Sequence, residues 1–256
     1  MFNKKTLCKM VTIGVLIGMA GFVPNTVNMP VVYAEEDALR DYLKKSNAIL
    51  KIMDEAKKFS SVGNYKRAIE ILTEGLTNYP DNDLLYIQRS LWYCSLKEYD
   101  KAIADIDRAI EIDPYNLGYY ESKASIYDDM EQYDKVVEIY TQLIEQNPYE
   151  IKYYYERGNA YYQLKDEQHM TEDYKKYLSM CSKPDEDMIM AEEYALRGSI
   201  YKYVKDYANA IKDFTKAIEL NQNKAMFYQL RGESYEALGD TEKAKSDFVE
   251  AKLHGG

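Results

Sequence analysis

Apolar and small side chains recur along the chain at helical spacing, most clearly in the stretch 85–114. Within it, LYIQRSLWYCSLKEYDKAIADIDRAIEIDP contains two amphipathic segments that are separated at Lys97-Glu98 and closed by Pro114. Apolar residues three, four and seven positions apart lie on one face of an α-helix, and proline cannot continue a helix. The stretch therefore predicts two helices joined by a tight turn.

The same pattern returns along the chain and predicts six helical hairpins. A small residue in each first helix is followed three positions later by an aromatic residue, and the small residues are Ala56, Ser90, Ala124, Gly158, Gly198 and Gly232. They are separated by steps of 34, 34, 34, 40 and 34 positions. The predicted units are 49–82, 83–116, 117–150, 151–190 (irregular), 191–224 and 225–256, with a helical extension at 35–48.

A 34-residue hairpin with a small residue and then an aromatic in its first helix, and two alanines seven positions apart in its second, resembles the tetratricopeptide repeat. The alanine pairs are Ala102/Ala109, Ala210/Ala217 and Ala244/Ala251. The resemblance covers 49 to the C-terminus. It implies an all-α, right-handed superhelical solenoid of about six helix-turn-helix repeats. Such repeats mostly supply protein-binding surfaces, but a fold does not by itself identify a function.

The fourth unit departs from the pattern in two ways. Met170 and Tyr177 stand where other units have the alanine pair, and six additional residues fall near 182–190. Larger side chains at close-contact positions push helices apart. We therefore expect a looser joint, or a change of superhelix direction, between units four and five.

A recurring pair of opposite charges indicates structural ion pairs. Four units have an arginine directly before the small residue and an aspartate sixteen positions after the arginine: Arg89 with Asp105, Arg157 with Asp173, Arg197 with Asp213, and Arg231 with Asp247. The two units without the arginine also lack the aspartate. This correlation predicts an ion pair inside each hairpin rather than a ligand-binding charge.

In proteins that resemble this one, the first helices line a concave groove that holds the ligand. The residues expected to face it are Glu121, Ser125, Asp128, Asp129, Lys152, Tyr155, Asn159, Tyr162, Ser199, Lys202 and Tyr203. Tyrosines beside acidic residues suit a protein or peptide segment that is basic or Pro-rich. The alternative is that these tyrosines only pack, because the chain has 27 of them. A lysine and asparagine clamp for acidic C-termini is absent.

The sequence offers no apparatus for catalysis, and we expect neither an enzyme nor a cofactor. It has two histidines, His169 and His254, and no phosphate-binding glycine loop or CxxC motif. His169, Met170, Met180 and Cys181 are interpreted as packing residues rather than metal ligands. Cys94 and Cys181 fall two repeats apart, beyond the Cα separation of about 7 Å that a disulfide allows.

The N-terminus predicts export. Lys4, Lys5 and Lys9 precede the short apolar run 11–23, and Ala34 offers a small-residue cleavage site, the pattern of a secretory signal at 1–34. The expected location is the periplasm or the cell surface of a bacterium, with no membrane span after cleavage; the alternative is that the segment is kept as an uncleaved anchor. A formal charge of −10 argues against nucleic acid as a partner.

These features predict an interaction scaffold or adaptor that binds an extended protein segment in its groove. An alternative is a structural assembly subunit that self-associates through its C-terminal end. There, Leu253-His254-Gly255-Gly256 follows the last helix without the polar cap that repeat arrays usually need.

Overall fold

The computed structural model describes the backbone of residues 29–181 and 190–255, and the side chains from position 37 onward within those ranges. Over these residues the chain forms twelve α-helices and no strand, so the predicted all-α class is confirmed. Residues 1–28 of the predicted signal and most of the additional residues of unit four lie outside the described residues. None of the described helices has the length and apolar character needed to cross a membrane.

The helices follow one another at short intervals. Their bounds are α1 Met29–Ser60, α2 Tyr65–Asn78, α3 Asp83–Ser95, α4 Tyr99–Ile112, α5 Leu117–Asp129, α6 Tyr133–Gln146, α7 Ile151–Gln163, α8 Glu167–Met180, α9 Ala191–Tyr203, α10 Tyr207–Leu220, α11 Ala225–Ala237 and α12 Thr241–His254.

The chain divides into two compact units, Met1–Asp54 and Glu55–Gly256. The described part of the first unit is helical and belongs to α1. The second unit contains the end of α1, α2, and five complete hairpins, which pair α3 with α4, α5 with α6, α7 with α8, α9 with α10, and α11 with α12.

The turn inside each described hairpin contains one residue in the left-handed region. These residues are Gly63, Lys97, Glu131, Lys165, Lys205 and Gly239, with φ between 56° and 82°. Glycine reaches this region without strain, whereas a residue with a Cβ does so at a cost. The next residue often caps the second helix, as Asp206 does by accepting a hydrogen bond from the backbone N–H of Asn209 at 3.3 Å.

Glycine leaves room for an aromatic ring in the last three hairpins, whereas in the third hairpin Ala124 packs in one cluster with Tyr140. A Cβ added to Gly158 would lie 2.6 Å from the ring of Tyr174, and one added to Gly232 would lie 2.7 Å from the ring of Phe248. In hairpins one and two the facing residue is aliphatic, and alanine or serine occupies the small position. The small residue and the side chain it faces therefore set how closely the two helices approach.

The structure brings each of the four arginines onto its aspartate. In every pair the arginine Nε and Nη2 donate to the two carboxylate oxygens at 2.6–2.8 Å. Three of the arginines also donate from Nη1 to a threonine of the preceding hairpin at 3.0–3.1 Å: Arg89 to Thr73, Arg157 to Thr141, and Arg231 to Thr215. These arginines therefore hold neighbouring hairpins together as well as their own.

The third hairpin uses a different charge pair. Lys123 stands in place of the arginine and donates to Asp107 of the preceding hairpin at 2.7 Å. Asp107 occupies the position at which Thr73 and Thr141 stand in the neighbouring hairpins. The link between hairpins is kept, although the pair within the third hairpin is lost.

Tyrosine rings fill the joint between the fourth and fifth hairpins. Helices α8 and α9 are in less extensive contact than the other consecutive helices from α2 onward. The ring centroids of Tyr174 and Tyr203 are 5.8 Å apart, and those of Tyr162 and Tyr203 are 5.1 Å apart. Aromatic packing thus replaces part of the direct helix contact that occurs at the regular joints.

Candidate partner-binding groove

A cavity of about 810 Å³ opens beside the first helices of the third, fourth and fifth hairpins, α5, α7 and α9. We call it the groove. Nine of the eleven residues expected to face a ligand line it: Glu121, Ser125, Asp128, Lys152, Tyr155, Asn159, Tyr162, Ser199 and Tyr203.

The other two expected residues, Asp129 and Lys202, are not part of the groove lining. Asp129 follows Asp128 in α5, and consecutive helical residues point about 100° apart. Lys202 forms an ion pair with Glu233 of the sixth hairpin. Both residues stay predicted partner contacts outside this cavity, and Lys202 also links the fifth and sixth hairpins.

Glu156 is a charged groove residue that sequence reasoning missed. It lies four positions after Lys152 and three before Asn159, so the same helical spacing places it on the groove face. The side chain of Asn159 interacts with its carboxylate and favours the ionised form, which lowers its pKa. The amide oxygen of Asn159 in turn accepts a hydrogen bond from the Tyr174 hydroxyl at 2.8 Å. The groove face of α7 is therefore organised by a short polar network.

The groove is acidic. It contains the carboxylates of Glu121, Asp128 and Glu156, and its one lysine, Lys152, is paired with Glu121. Burial raises the pKa of Glu156 above its usual value; Asp128 and Glu121 add smaller contributions, while Lys152 and the Asn159 hydrogen bond oppose them. Burial likewise raises the pKa of Asp128, with a further contribution from Asp129. A positively charged group of a ligand would therefore stabilise the ionised carboxylates of the groove.

The tyrosines of the groove have two different roles. Tyr155 packs against Tyr174 and Tyr177, with ring centroids 6.4 and 5.6 Å away, so it is a partly buried residue that supports the groove wall. Tyr162 and Tyr203 meet edge to face at 5.1 Å and remain 46% and 41% exposed. The exposed pair is the aromatic surface that a ligand can reach.

The residues considered for metal binding are spread apart. Met170 is buried beside Tyr174, whereas His169 is exposed, stacks on Tyr161 at 5.0 Å and hydrogen-bonds Asp166. Met170 therefore packs in the core, whereas His169 packs against Tyr161 at the surface. Among the described residues, no group of three or more histidine, cysteine, aspartate or glutamate side chains is arranged to hold a metal. Both Cys94 and Cys181 have free thiols.

The last helix exposes two apolar residues, Val249 (56%) and Leu253 (71%). Lys252 lies between them in sequence. In the four preceding hairpins the same position holds an aliphatic residue that packs onto the next hairpin: Ile110, Ile144, Leu178 and Ile218. The exposed surface of α12 therefore combines apolar side chains with a charge that regular stacking would bury.

Models of the tetratricopeptide repeat family match most of the chain, at residues 53–116, 117–150, 151–184, 191–224 and 227–252. The small glutamine-rich tetratricopeptide repeat-containing protein 2 of Mycosarcoma maydis is 34% identical over 67 residues, which are 26% of this chain and 19% of that protein. The heat shock protein sti1 homolog of Schizosaccharomyces pombe is 38% identical over 61 residues, 24% of this chain and 10% of that protein. The chain thus spans a fifth or less of these relatives.

Solved structures show the same fold at low sequence identity. The C-terminal part of a tetratricopeptide repeat protein from Cytophaga hutchinsonii superposes with a TM-score of 0.61 at 19% identity, covering 80% of each chain. YrrB, described as having an unusual peptide-binding site, gives a TM-score of 0.56 at 17% identity, over 70% of this chain and 90% of that one. MamA gives a TM-score of 0.54 at 19% identity, over 67% of this chain and 91% of that one. The predicted helical repeat solenoid is confirmed.

Proposed function

We propose that this chain, which belongs to the tetratricopeptide repeat family, is a protein-interaction scaffold that holds an extended segment of its partner in the groove. Proteins of this family bind other proteins in general. The observation that carries the specific proposal is the groove itself, where exposed tyrosine rings and carboxylates share one cavity of about 810 Å³.

The chemistry of the groove favours a basic or Pro-rich segment. The exposed rings of Tyr162 and Tyr203 offer apolar area at low cost in side-chain entropy, and aromatic grooves suit the preformed backbone of proline-rich chains. Glu156 and Asp128 are partly desolvated carboxylates whose ionised forms a lysine or arginine of the ligand would stabilise. An acidic segment would instead meet like charges.

A selection from a random peptide library displayed on phage tests this proposal. The wild-type chain is expected to enrich peptides that contain lysine, arginine or proline. Tyr162→Ala and Glu156→Gln are expected to weaken binding of the selected peptides about tenfold or more. Tyr115→Ala is the matched control, because Tyr115 is 88% exposed and does not line the groove.

Two outcomes would contradict the proposal. One is enrichment of acidic peptides, and the other is binding that Tyr162→Ala and Tyr115→Ala weaken equally. Tyr155 is unsuited to this test because its ring packs against Tyr174 and Tyr177.

We also propose that the protein works outside the bacterial cytoplasm. The support is the N-terminal sequence, in which Lys4, Lys5 and Lys9 precede the apolar run 11–23 and Ala34. Fusion of the N-terminal segment to alkaline phosphatase, which is active only after export, provides the assay. Loss of activity on replacing the three lysines with glutamates is expected, and an inactive wild-type fusion would refute export.

Self-assembly is a second candidate function, which the exposed Val249 and Leu253 of α12 favour. Sedimentation of the chain at tens of micromolar measures it directly. A larger species that Leu253→Glu dissociates would support assembly through this surface, and a monomer would count against it.

A further inference from the structure

A second cavity, of about 760 Å³, adjoins the groove at the joint between the fourth and fifth hairpins. Tyr162 and Tyr203 line both cavities. The second one is also lined by Lys165 and Lys205 from the turns of the two hairpins and by Lys175 from α8. We call this cavity the lysine cleft.

The cleft lies at a position that links neighbouring hairpins elsewhere in the chain. At the position of Lys175, other hairpins have a threonine that accepts a hydrogen bond from the arginine of the next hairpin: Thr73, Thr141 and Thr215. An ammonium group has no lone pair to accept such a bond. Lys175 therefore cannot accept the bond that threonine accepts, and it places a positive charge at the joint where helix contact is least extensive.

The three lysines contrast with the acids around them. Within the described part of the chain, the ammonium groups of Lys165, Lys175 and Lys205 have no hydrogen-bond or ion-pair partner. By contrast, Glu172 accepts a hydrogen bond from Gln168 at 3.2 Å, and both Asp166 and Asp206 accept bonds from the starts of their own helices. Glu167 also lines the cleft. The lining thus carries three lysines against two glutamates, an excess of positive charge in a chain of formal charge −10.

We propose that the lysine cleft binds carboxylate side chains of the same partner segment whose basic residues lie in the groove, an inference that rests on the proposed function. Because Tyr162 and Tyr203 border both cavities, a chain lying across the two rings meets the acidic lining on one side and the lysines on the other. Glu156 of α7 and Lys175 of α8 belong to packed neighbouring helices, whose axes lie about 8–10 Å apart. An extended chain covers that distance in about three residues.

The partner segment is therefore expected to carry both charges, with its basic and acidic residues about three positions apart. Opposite charges on the two cavities would also fix the direction in which the segment lies, since a reversed chain would bring like charges together. Recognition would thus depend on the order of charges and not only on net charge.

Binding of synthetic peptides to the full chain, measured by isothermal titration calorimetry, tests the inference. All probes share a proline-containing frame. The mixed peptide has lysines in one half and glutamates in the other. In the second probe the glutamates of the mixed peptide are replaced by glutamine, and in the third its lysines are replaced by glutamine. The mixed peptide is prepared with the lysines first and with the glutamates first. The protein variant is K165Q/K175Q/K205Q. The matched control is K57Q/K66Q/K97Q, which removes three exposed lysines away from the cleft, including one at an equivalent turn position.

The wild-type chain is expected to bind one of the mixed peptides about tenfold more tightly than its glutamine-for-glutamate version. The cleft variant should bind these two peptides equally, while the control variant should keep the difference. Circular dichroism checks that both variants remain helical.

The outcomes separate this inference from the proposed function. If the wild-type chain binds the mixed and the glutamine-for-glutamate peptides equally, the lysine cleft has no such role while the groove proposal stands. If both lysine variants lose the difference to the same extent, the effect reflects overall charge and the inference is wrong. If none of the peptides binds, both proposals are contradicted.

Discussion

The contact between Gly198 and Phe214 allows a sharp prediction about what closes a hairpin. A Cβ on Gly198 would lie 2.9 Å from the ring carbon Cε1 of Phe214, 3.0 Å from Cδ1 and 3.2 Å from the Cβ of Asp213. Phe214 is fully buried, and Asp213 is held by Arg197 at 2.7 Å. Neither side chain can move away without disturbing its own contacts, so Gly198→Ala overpacks the hairpin.

Two opposing effects set the size of the change. Overpacking a core costs about 1–3 kcal/mol, whereas alanine stabilises a helix interior by about 1 kcal/mol relative to glycine. We therefore expect Gly198→Ala to lower the free energy of unfolding by about 1 kcal/mol. In the double variant with Phe214→Leu, the alanine should stabilise instead, because Ala56 faces Leu72 in the first hairpin. The coupling between the two substitutions should be about 1–2 kcal/mol.

The assay is urea unfolding of the four proteins of this double-mutant cycle, followed by circular dichroism. The fluorescence of Trp92, the single tryptophan, reports on the second hairpin and shows whether the repeats unfold together. A Gly198→Ala chain that is about 1 kcal/mol more stable than wild type, with no coupling to Phe214→Leu, would refute the ring contact as the reason for glycine.

Three further predictions concern other parts of the fold. Arg231→Met is expected to lower the free energy of unfolding by about 2–4 kcal/mol, because it leaves the buried Asp247 unpaired. Arg108→Met, which removes one partner of an exposed ion pair, should change the stability much less in the same urea titration. The raised pKa of Glu156 means that its carboxyl favours folding while protonated, and this contribution is lost as pH rises through the folded-state pKa. Glu156→Gln should therefore melt at a higher temperature than wild type near pH 7, and a difference that does not shrink toward about pH 4 would contradict this. Glu131→Gly should raise the free energy of unfolding by about 0.5–1 kcal/mol, because glycine adopts the left-handed backbone of this turn without strain. An equal rise in melting temperature for Glu131→Ala would argue against turn strain as the cause.

Much of the groove could be predicted because its residues follow the periodicity of single helices. Spacings of three and four along α7 placed Lys152, Asn159 and Tyr162 together, and the same rule identifies Glu156 once the groove face is known. The periodicity could not show that Tyr155 packs against Tyr174 in a core cluster. Exposure depends on which neighbouring helix covers a residue, and the fourth joint is irregular.

The correlation of arginine with aspartate predicted contacts within a hairpin but not between hairpins. The bond from Lys123 to Asp107 joins positions whose relation appears only when two hairpins are stacked. Similarly, Lys202 has the spacing of a groove residue, yet Glu233 of the next hairpin draws it into an ion pair. Long charged side chains reach whichever opposite charge the packing brings near.

The sequence by itself determined the all-α fold, the position of each described hairpin and the arginine–aspartate pairs, because these depend on local helical period and on a repeat that recurs at a near-constant step. Only the tertiary structure decided which tyrosines are exposed and how the acidic groove meets the lysine cleft. Lys165 and Lys205 are brought to one cavity by the stacking of two hairpins across an irregular joint. The physical reason is that helix periodicity is a local property, whereas a cavity exists only where packing between separate helices is incomplete.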